Sequence, residues 1–240
     1  MRVLAIGAHP DDVELGCGGT LLRHRARGDE ITILVMTGGE RGVHDRRSRQ
    51  MEQERAAELM GATLVWGGYQ DGAVPQGSDA IAAVDRVVAA CGAEILYTHA
   101  PEDSHQDHIA TSTVSLAAAR RVPTLLYYET PSTLEFTPTV YIDLGDALAR
   151  KVGLVRQHLS QVLREGPVDL DALVAQARFR GSQSRIHHAE AFRPARFLWD
   201  LVPAVGGGAG LAPASRPHPA SGERATELRL ISKTVHELVR

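Results

Sequence analysis

The sequence predicts an α/β fold in which a mostly parallel sheet lies between two layers of helices. Two observations predict it. Short apolar runs alternate with amphipathic segments through the first two-thirds of the chain, the pattern of repeated strand–helix units. Stretches rich in His and Asp fall directly after two of those runs, and in an open α/β sheet that carboxyl edge is where ligands bind.

The first strand is expected over 2–6, from Val3-Leu4-Ala5-Ile6. A helix follows over 18–27, ended by Gly28-Asp29, and a second strand over 31–36. A helix over 47–60 carries Met51, Ala56, Leu59 and Met60 on one side and closes at Gly61. A short third strand over 63–66 leads through the turn-rich Gly67–Gly72 to a helix over 79–91, where Ile81, Val84, Val87 and Val88 share a face. Strand four is expected over 94–98, then a helix over 109–120, a strand over 124–128 and another over 139–142. Two further helices fit 145–163 and 170–180. Together these form one domain over 1–202. Gly206-Gly207-Gly208 amid Pro, Ala and Ser marks 203–222 as a flexible linker. Leu228, Ile231, Val235 and Leu238 recur at helical spacing, so 223–240 reads as a helix, or a strand at 228–231, that docks on its own domain or assembles a homo-oligomer.

Bulk properties exclude several classes. A net charge of −3 offers no electrostatic attraction for nucleic acid. Two cysteines outside any CxxC make no disulfide framework. No apolar run reaches the ~18 residues of a membrane span, and the first residues lack a signal-peptide layout, so a cytoplasmic location is expected.

The chemistry concentrates in two clusters. Ala8-His9-Pro10-Asp11-Asp12-Val13-Glu14 occupies the first strand-to-helix loop. His9 and Asp12 offer nitrogen and oxygen donors suited to Zn2+ or another first-row divalent ion. Asp11 is free to act as a base on a water. Alone, this stretch is equally an ordinary turn with an Asp helix cap. His105-Gln106-Asp107-His108 follows strand four and lands on the same edge. His108 supplies a third donor, which leaves an open position for water, and Asp107 is placed to hold an imidazole. Two such clusters on one sheet edge favour a metal site over two coincident loops.

These motifs resemble those of the LmbE-like (PIG-L) zinc-dependent N-deacetylases, whose relatives include deacetylases of the mycothiol and bacillithiol pathways. Thr37-Gly38-Gly39-Glu40, Arg49 with Glu52, Asp71-Gly72 and Tyr127-Tyr128-Glu129 are lesser matches. The resemblance extends over 1–200 and implies a Rossmann-like three-layer fold with the active site at the strands' carboxyl ends. It implies His9, Asp12 and His108 as ligands of Zn2+, with Fe2+ also suited to these donors. It further implies Asp11 as the base and His105, steadied by Asp107, as the group that polarises the amide oxygen or protonates the amine. Arg49, Glu40, Tyr128 and Glu129 are the candidate substrate-binding residues. The mycothiol-pathway enzymes carry a Tyr five residues before the third ligand, where this chain has Asp103.

The expected activity is removal of an N-acetyl group from a small-molecule amide, an amino sugar of the N-acetylglucosamine type. An amidase acting on a larger amide, such as a thiol conjugate or a natural-product intermediate, is the alternative within the same chemistry. A non-catalytic metal- or small-molecule-binding protein is the alternative outside it, and Asp11 and His105 speak against that reading. A nucleotide-binding role for Gly16-Cys17-Gly18-Gly19 is disfavoured, because acids stand where a pyrophosphate would sit.

Overall fold

The computed structural model describes residues 1–42, 46–162, 168–199, 226–228 and 230–232. Its centre is a seven-stranded sheet in the order β3-β2-β1-β4-β5-β7-β6. The strands are β1 (Arg2–Gly7), β2 (Glu30–Thr37), β3 (Thr63–Tyr69), β4 (Ile95–His99), β5 (Thr124–Tyr128), β6 (Val140–Asp143) and β7 (Ala189–Arg196). The first five run parallel, while β7 is antiparallel to both β5 and β6. The order reverses at β1, between β2 and β4, which opens a crevice at the carboxyl ends of these strands.

The sheet is covered on both faces, as parallel strands require. In β1, Val3 and Ala5 enter one apolar cluster with Val13, Leu21, Met60 and Phe192. Leu4 and Ile6 enter the other with Val84, Val87, Leu96 and Val114. The flanking helices are α1 (Asp12–Ala26), α2 (Arg46–Met60), α3 (Ser78–Cys91), α4 (Gln106–Ala118), α5 (Ala147–Val155), α6 (Leu159–Val162) and α7 (Leu170–Gln183).

Three elements differ from the sequence expectation. Helix α1 begins at Asp12, well before 18. Its interior glycines are there for close packing: a Cβ at Gly16 would lie 2.1 Å from the Tyr128 ring, and one at Gly19 2.6 Å from Leu144. The helix expected over 145–163 divides into α5 and α6, and its last residue lies outside the described ones. Strand β7 was not anticipated, because Glu190, Arg193 and Pro194 interrupt its apolar pattern.

Residues 226–228 and 230–232 are helical. Leu228 is buried in the cluster beside α3 and α4, with Ile231 packed against it. The Trp66 N–H on edge strand β3 donates to Ser232 Oγ at 3.1 Å. The expected linker over 203–222 lies outside the described residues.

Candidate metal centre and its surroundings

The two sequence clusters meet at the crevice. His9 and Asp11 lie between β1 and α1, Asp12 opens α1, His105 precedes α4, and His108 sits in its first turn. All five line a cavity of about 480 Å³. Asp12 is its pivot. Its Oδ2 lies 3.4 Å from His9 Nδ1, and its Oδ1 3.4 Å from His108 Nε2. The His9 backbone N–H donates to Asp12 Oδ2 at 2.7 Å, which fixes the carboxylate's orientation.

The far nitrogens of both imidazoles are held from behind. His9 Nε2 faces Asp107 Oδ2 at 3.1 Å and Asp71 Oδ1 at 3.2 Å. His108 Nδ1 faces Asp103 Oδ2 at 3.3 Å and Ser132 Oγ at 3.1 Å. Such partners place the proton on the outer nitrogen and turn the inner lone pair toward the site. The free donor atoms are then His9 Nδ1, an Asp12 oxygen and His108 Nε2. Among the described residues, three triads have ligand atoms within 4.8 Å of one another: His9, His105 and His108; Asp12, His99 and His108; and His9, Asp71 and Asp107.

The electrostatics match a site built for a cation. Burial alone would lower the pKa of His9, but Asp107, Asp12 and Asp71 raise it well above the ordinary value. His108 is likewise pushed up to about 9, against burial, by Asp12 and Asp103. Burial opposes the ionisation of Asp71, yet His9 and the Arg41 N–H bring it down to about 2. The carboxylates thus draw positive charge onto the imidazoles, a demand that a divalent ion on the same donors would meet. Two imidazoles and one carboxylate suit Zn2+ or Fe2+, so the residues present fit a metal.

His99, at the end of β4, is different. Its Nε2 accepts from the Ala8 N–H at 3.1 Å, and burial with the neighbouring His108 lowers its pKa to about 4. It is a neutral ring stacked 4.0 Å from His108.

Asp11 adopts a left-handed backbone (φ 98°), a conformation that costs a non-glycine residue about 1–3 kcal/mol. Its neighbours hold it there. The Asp11 N–H donates to Gln53 Oε1 at 3.1 Å. Arg49 Nη2 lies 3.3 Å from Asp11 Oδ2 and donates to the Pro10 carbonyl at 2.6 Å, while Nη1 donates to the Gly39 carbonyl at 3.1 Å. Gly39, at φ 63°, leaves room for the guanidinium: a Cβ there would lie 2.5 Å from Nη1. Burial pushes the Asp11 carboxyl up to about 6, with Arg49 pulling the other way.

The structure shows what the other expected site residues touch. Asp107 does not hold the His105 ring. Its carboxylate accepts from the N–H groups of Gly72 at 2.6 Å and Val74 at 3.1 Å, and bonds His9. Only its backbone N–H meets His105, donating to Nδ1 at 3.2 Å. In the neutral ring this leaves the proton on Nε2. Tyr128 is fully buried, its hydroxyl donating to the Ile6 carbonyl at 2.8 Å, so it walls the core and not the cavity. Glu129 is engaged by Arg180 through bonds of 2.7 and 2.6 Å. Glu40 accepts from the Asp71 N–H at 3.1 Å and organises that loop. Arg49 does line the cavity, and its Nη1 and Nη2 donate to the protein's own acceptors, while its buried Nε has no hydrogen-bond partner.

Sequence reasoning gave no role to Asp71, Gln53, His99 or Ser132, and it read Asp103 only as an absent Tyr. Position after a strand was the available signal for Asp71 and His99; Gln53 lies mid-helix, where a polar residue reads as solvated surface.

Fold and site together define an α/β protein with a candidate divalent-metal centre at its topological switch point. Residues 4–119 match the family model described as PIG-L: GlcNAc-PI de-N-acetylase, and the chain belongs to this family. It is 36% identical over 167 residues to the uncharacterized deacetylase YaiS of Escherichia coli (strain K12), covering 66% of this chain and 90% of that one. It is 24% identical over 186 residues to the diacetylchitobiose deacetylase of Thermococcus kodakarensis, covering 67% and 70%. Among solved structures, the conserved protein TT1542 from Thermus thermophilus superposes with a TM-score of 0.75 at 26% identity, over 90% of this chain and 100% of that one.

Proposed function

We propose that this protein is a metal-dependent hydrolase that removes the N-acetyl group from an amino-sugar substrate. The observation that carries the reading is the convergence on Asp12: His9 Nδ1 and His108 Nε2 each lie 3.4 Å from its carboxylate, at the rim of a cavity that Asp11 and His105 share. The family and the deacetylase names of its relatives support the acetyl group and the amino sugar.

His9, Asp12 and His108 would hold the metal, with Zn2+ the first choice and Fe2+ the second. A bound Zn2+ there would polarise the amide carbonyl and lower the pKa of water. Asp11, tethered by Arg49, orients the attacking water and accepts its proton. Its raised pKa suits a base working near neutrality. His105, neutral with the proton on Nε2, donates a hydrogen bond to the developing oxyanion, a contribution typically worth ~3 kcal/mol. The proton collected by Asp11 then passes to the leaving amine. Arg41, on the cavity wall, is placed to meet sugar hydroxyls.

The test is acetate release from a panel of N-acetylglucosaminides, with metal content measured alongside. Asp11→Asn is expected to keep its metal and lose at least about 100-fold in kcat. Asp12→Ala is expected to lose the metal, and chelation of the wild type to abolish release until Zn2+ is restored. Near-normal turnover by Asp11→Asn would refute the assignment of the base.

A further inference from the structure

The cavity at the metal centre is one half of a longer depression. A second cavity of about 340 Å³ adjoins it, and the two share Leu15, Pro131 and Val168. The halves differ in chemistry. The first is edged by Arg41, Asp71 and His105, whereas the second is walled by Pro131, Val168, Ala172 and Leu173. Both acids on the second wall are already engaged. Glu129 is paired with Arg180 at 2.6 Å, and Asp169 caps α7, its Oδ1 accepting from the N–H groups of Asp171 at 2.8 Å and Ala172 at 3.1 Å.

The floor of this groove is not the main core. Leu15, Val155, Val168 and Leu173 form a small third apolar cluster, separate from the two that sandwich the sheet. Val155 is fully enclosed, but Leu15, Val168 and Leu173 keep 6–8% of their surface exposed. That remainder borders the groove. An apolar wall that opens directly onto a polar catalytic cavity gains nothing from water, and it contributes free energy only when an apolar group covers it.

We propose that this groove is a subsite for an apolar substituent of the substrate, which makes amides bearing an alkyl or aryl group the preferred class. The inference rests on the amide-hydrolase reading above. The substituent has two chemical sources, a group on the amine side, such as a glycosidic alkyl chain, or an acyl chain longer than acetyl. Continuity between the cavities through three shared residues ties the occupant to the substrate and not to a separate ligand.

The experiment compares methyl 2-acetamido-2-deoxyglucoside with its hexyl glycoside and with the N-hexanoyl methyl glycoside. Both kcat/KM and equilibrium binding by calorimetry are read, in the full chain and in Ala172→Phe. Ala172 is exposed on α7 and its methyl group takes no part in the site's polar network, so the larger ring would fill the groove. At least one of the two longer compounds is expected to exceed the parent about tenfold or more, with the preference lost in Ala172→Phe and the parent's value kept within about twofold. Preference for the hexyl glycoside assigns the groove to the amine side, and preference for the hexanoyl amide assigns it to the acyl side. Equal values for all three compounds in the wild type, or a preference that survives Ala172→Phe, would overturn the proposal. Tighter binding of a longer compound that Ala172→Phe removes, without hydrolysis of any of the three, would sustain the groove and sink the hydrolase reading.

Discussion

A histidine far from the candidate metal centre reports on the same rules that shape it. His24, near the end of α1, has Nδ1 at 2.7 Å from Asp29 Oδ2 and Nε2 at 2.9 Å from the Tyr97 hydroxyl. A neutral ring satisfies both, with Nδ1–H donating and Nε2 accepting from the phenol. Burial lowers its pKa despite Asp29. The unfolded chain therefore takes up a proton at His24 before the folded protein does. Stability from this group is complete above the unfolded value near 6.5 and declines as pH falls below it. Between pH 7.5 and 5.5 the wild type should lose stability relative to His24→Gln, read from denaturant midpoints; parallel curves would contradict this. That His9, Asp11, Asp12 and His108 come to one cavity was legible, because their motif spacing after two strands is itself the signal. Asp107 does face an imidazole, that of His9 rather than His105, and its carboxylate also meets the backbone N–H groups of a loop some 33–35 residues away in sequence.

Helix α1 starts earlier than expected, and two distant elements brace its middle. The Glu190 carboxylate on β7 accepts from the N–H groups of Gly19 at 2.8 Å and Thr20 at 2.6 Å, in the middle of the helix. Lys151 on α5 donates to the Leu15 carbonyl at 2.7 Å and pairs with Glu190 at 2.6 Å. Both charged groups are at most 4% exposed. Removing one partner from such a pair strands a buried charge, so Lys151→Met should cost about 3–5 kcal/mol in urea unfolding. Lys151→Met combined with Glu190→Gln should recover part of that loss. The helix start was readable only as the alternative of an Asp helix cap, and β7 was not readable locally, since its acid makes sense only as a partner across the fold.

At the scale of the molecule, the parallel core was legible from strand to strand, and every parallel strand was anticipated to within a few residues. The antiparallel β7, inserted between β5 and β6, was not, because chain order gives no hint that a late segment returns to the sheet interior. The C-terminal helical segment adds to the same body: Leu228 is 3% exposed against the α3–α4 cluster. Leu228→Ala should lower unfolding free energy by about 1.5–3 kcal/mol, and an unchanged midpoint would mean that the segment contributes no packing in solution.

The Glu190–α1 contact also has a consequence in time. Gly19 leaves the ribosome some 171 residues before Glu190, which at ordinary elongation rates is roughly 10–30 s. Until Glu190 is made, the middle turn of α1 lacks its carboxylate partner. The helix that opens the candidate metal centre completes these hydrogen bonds only when β7, the last described strand of the sheet, has been made.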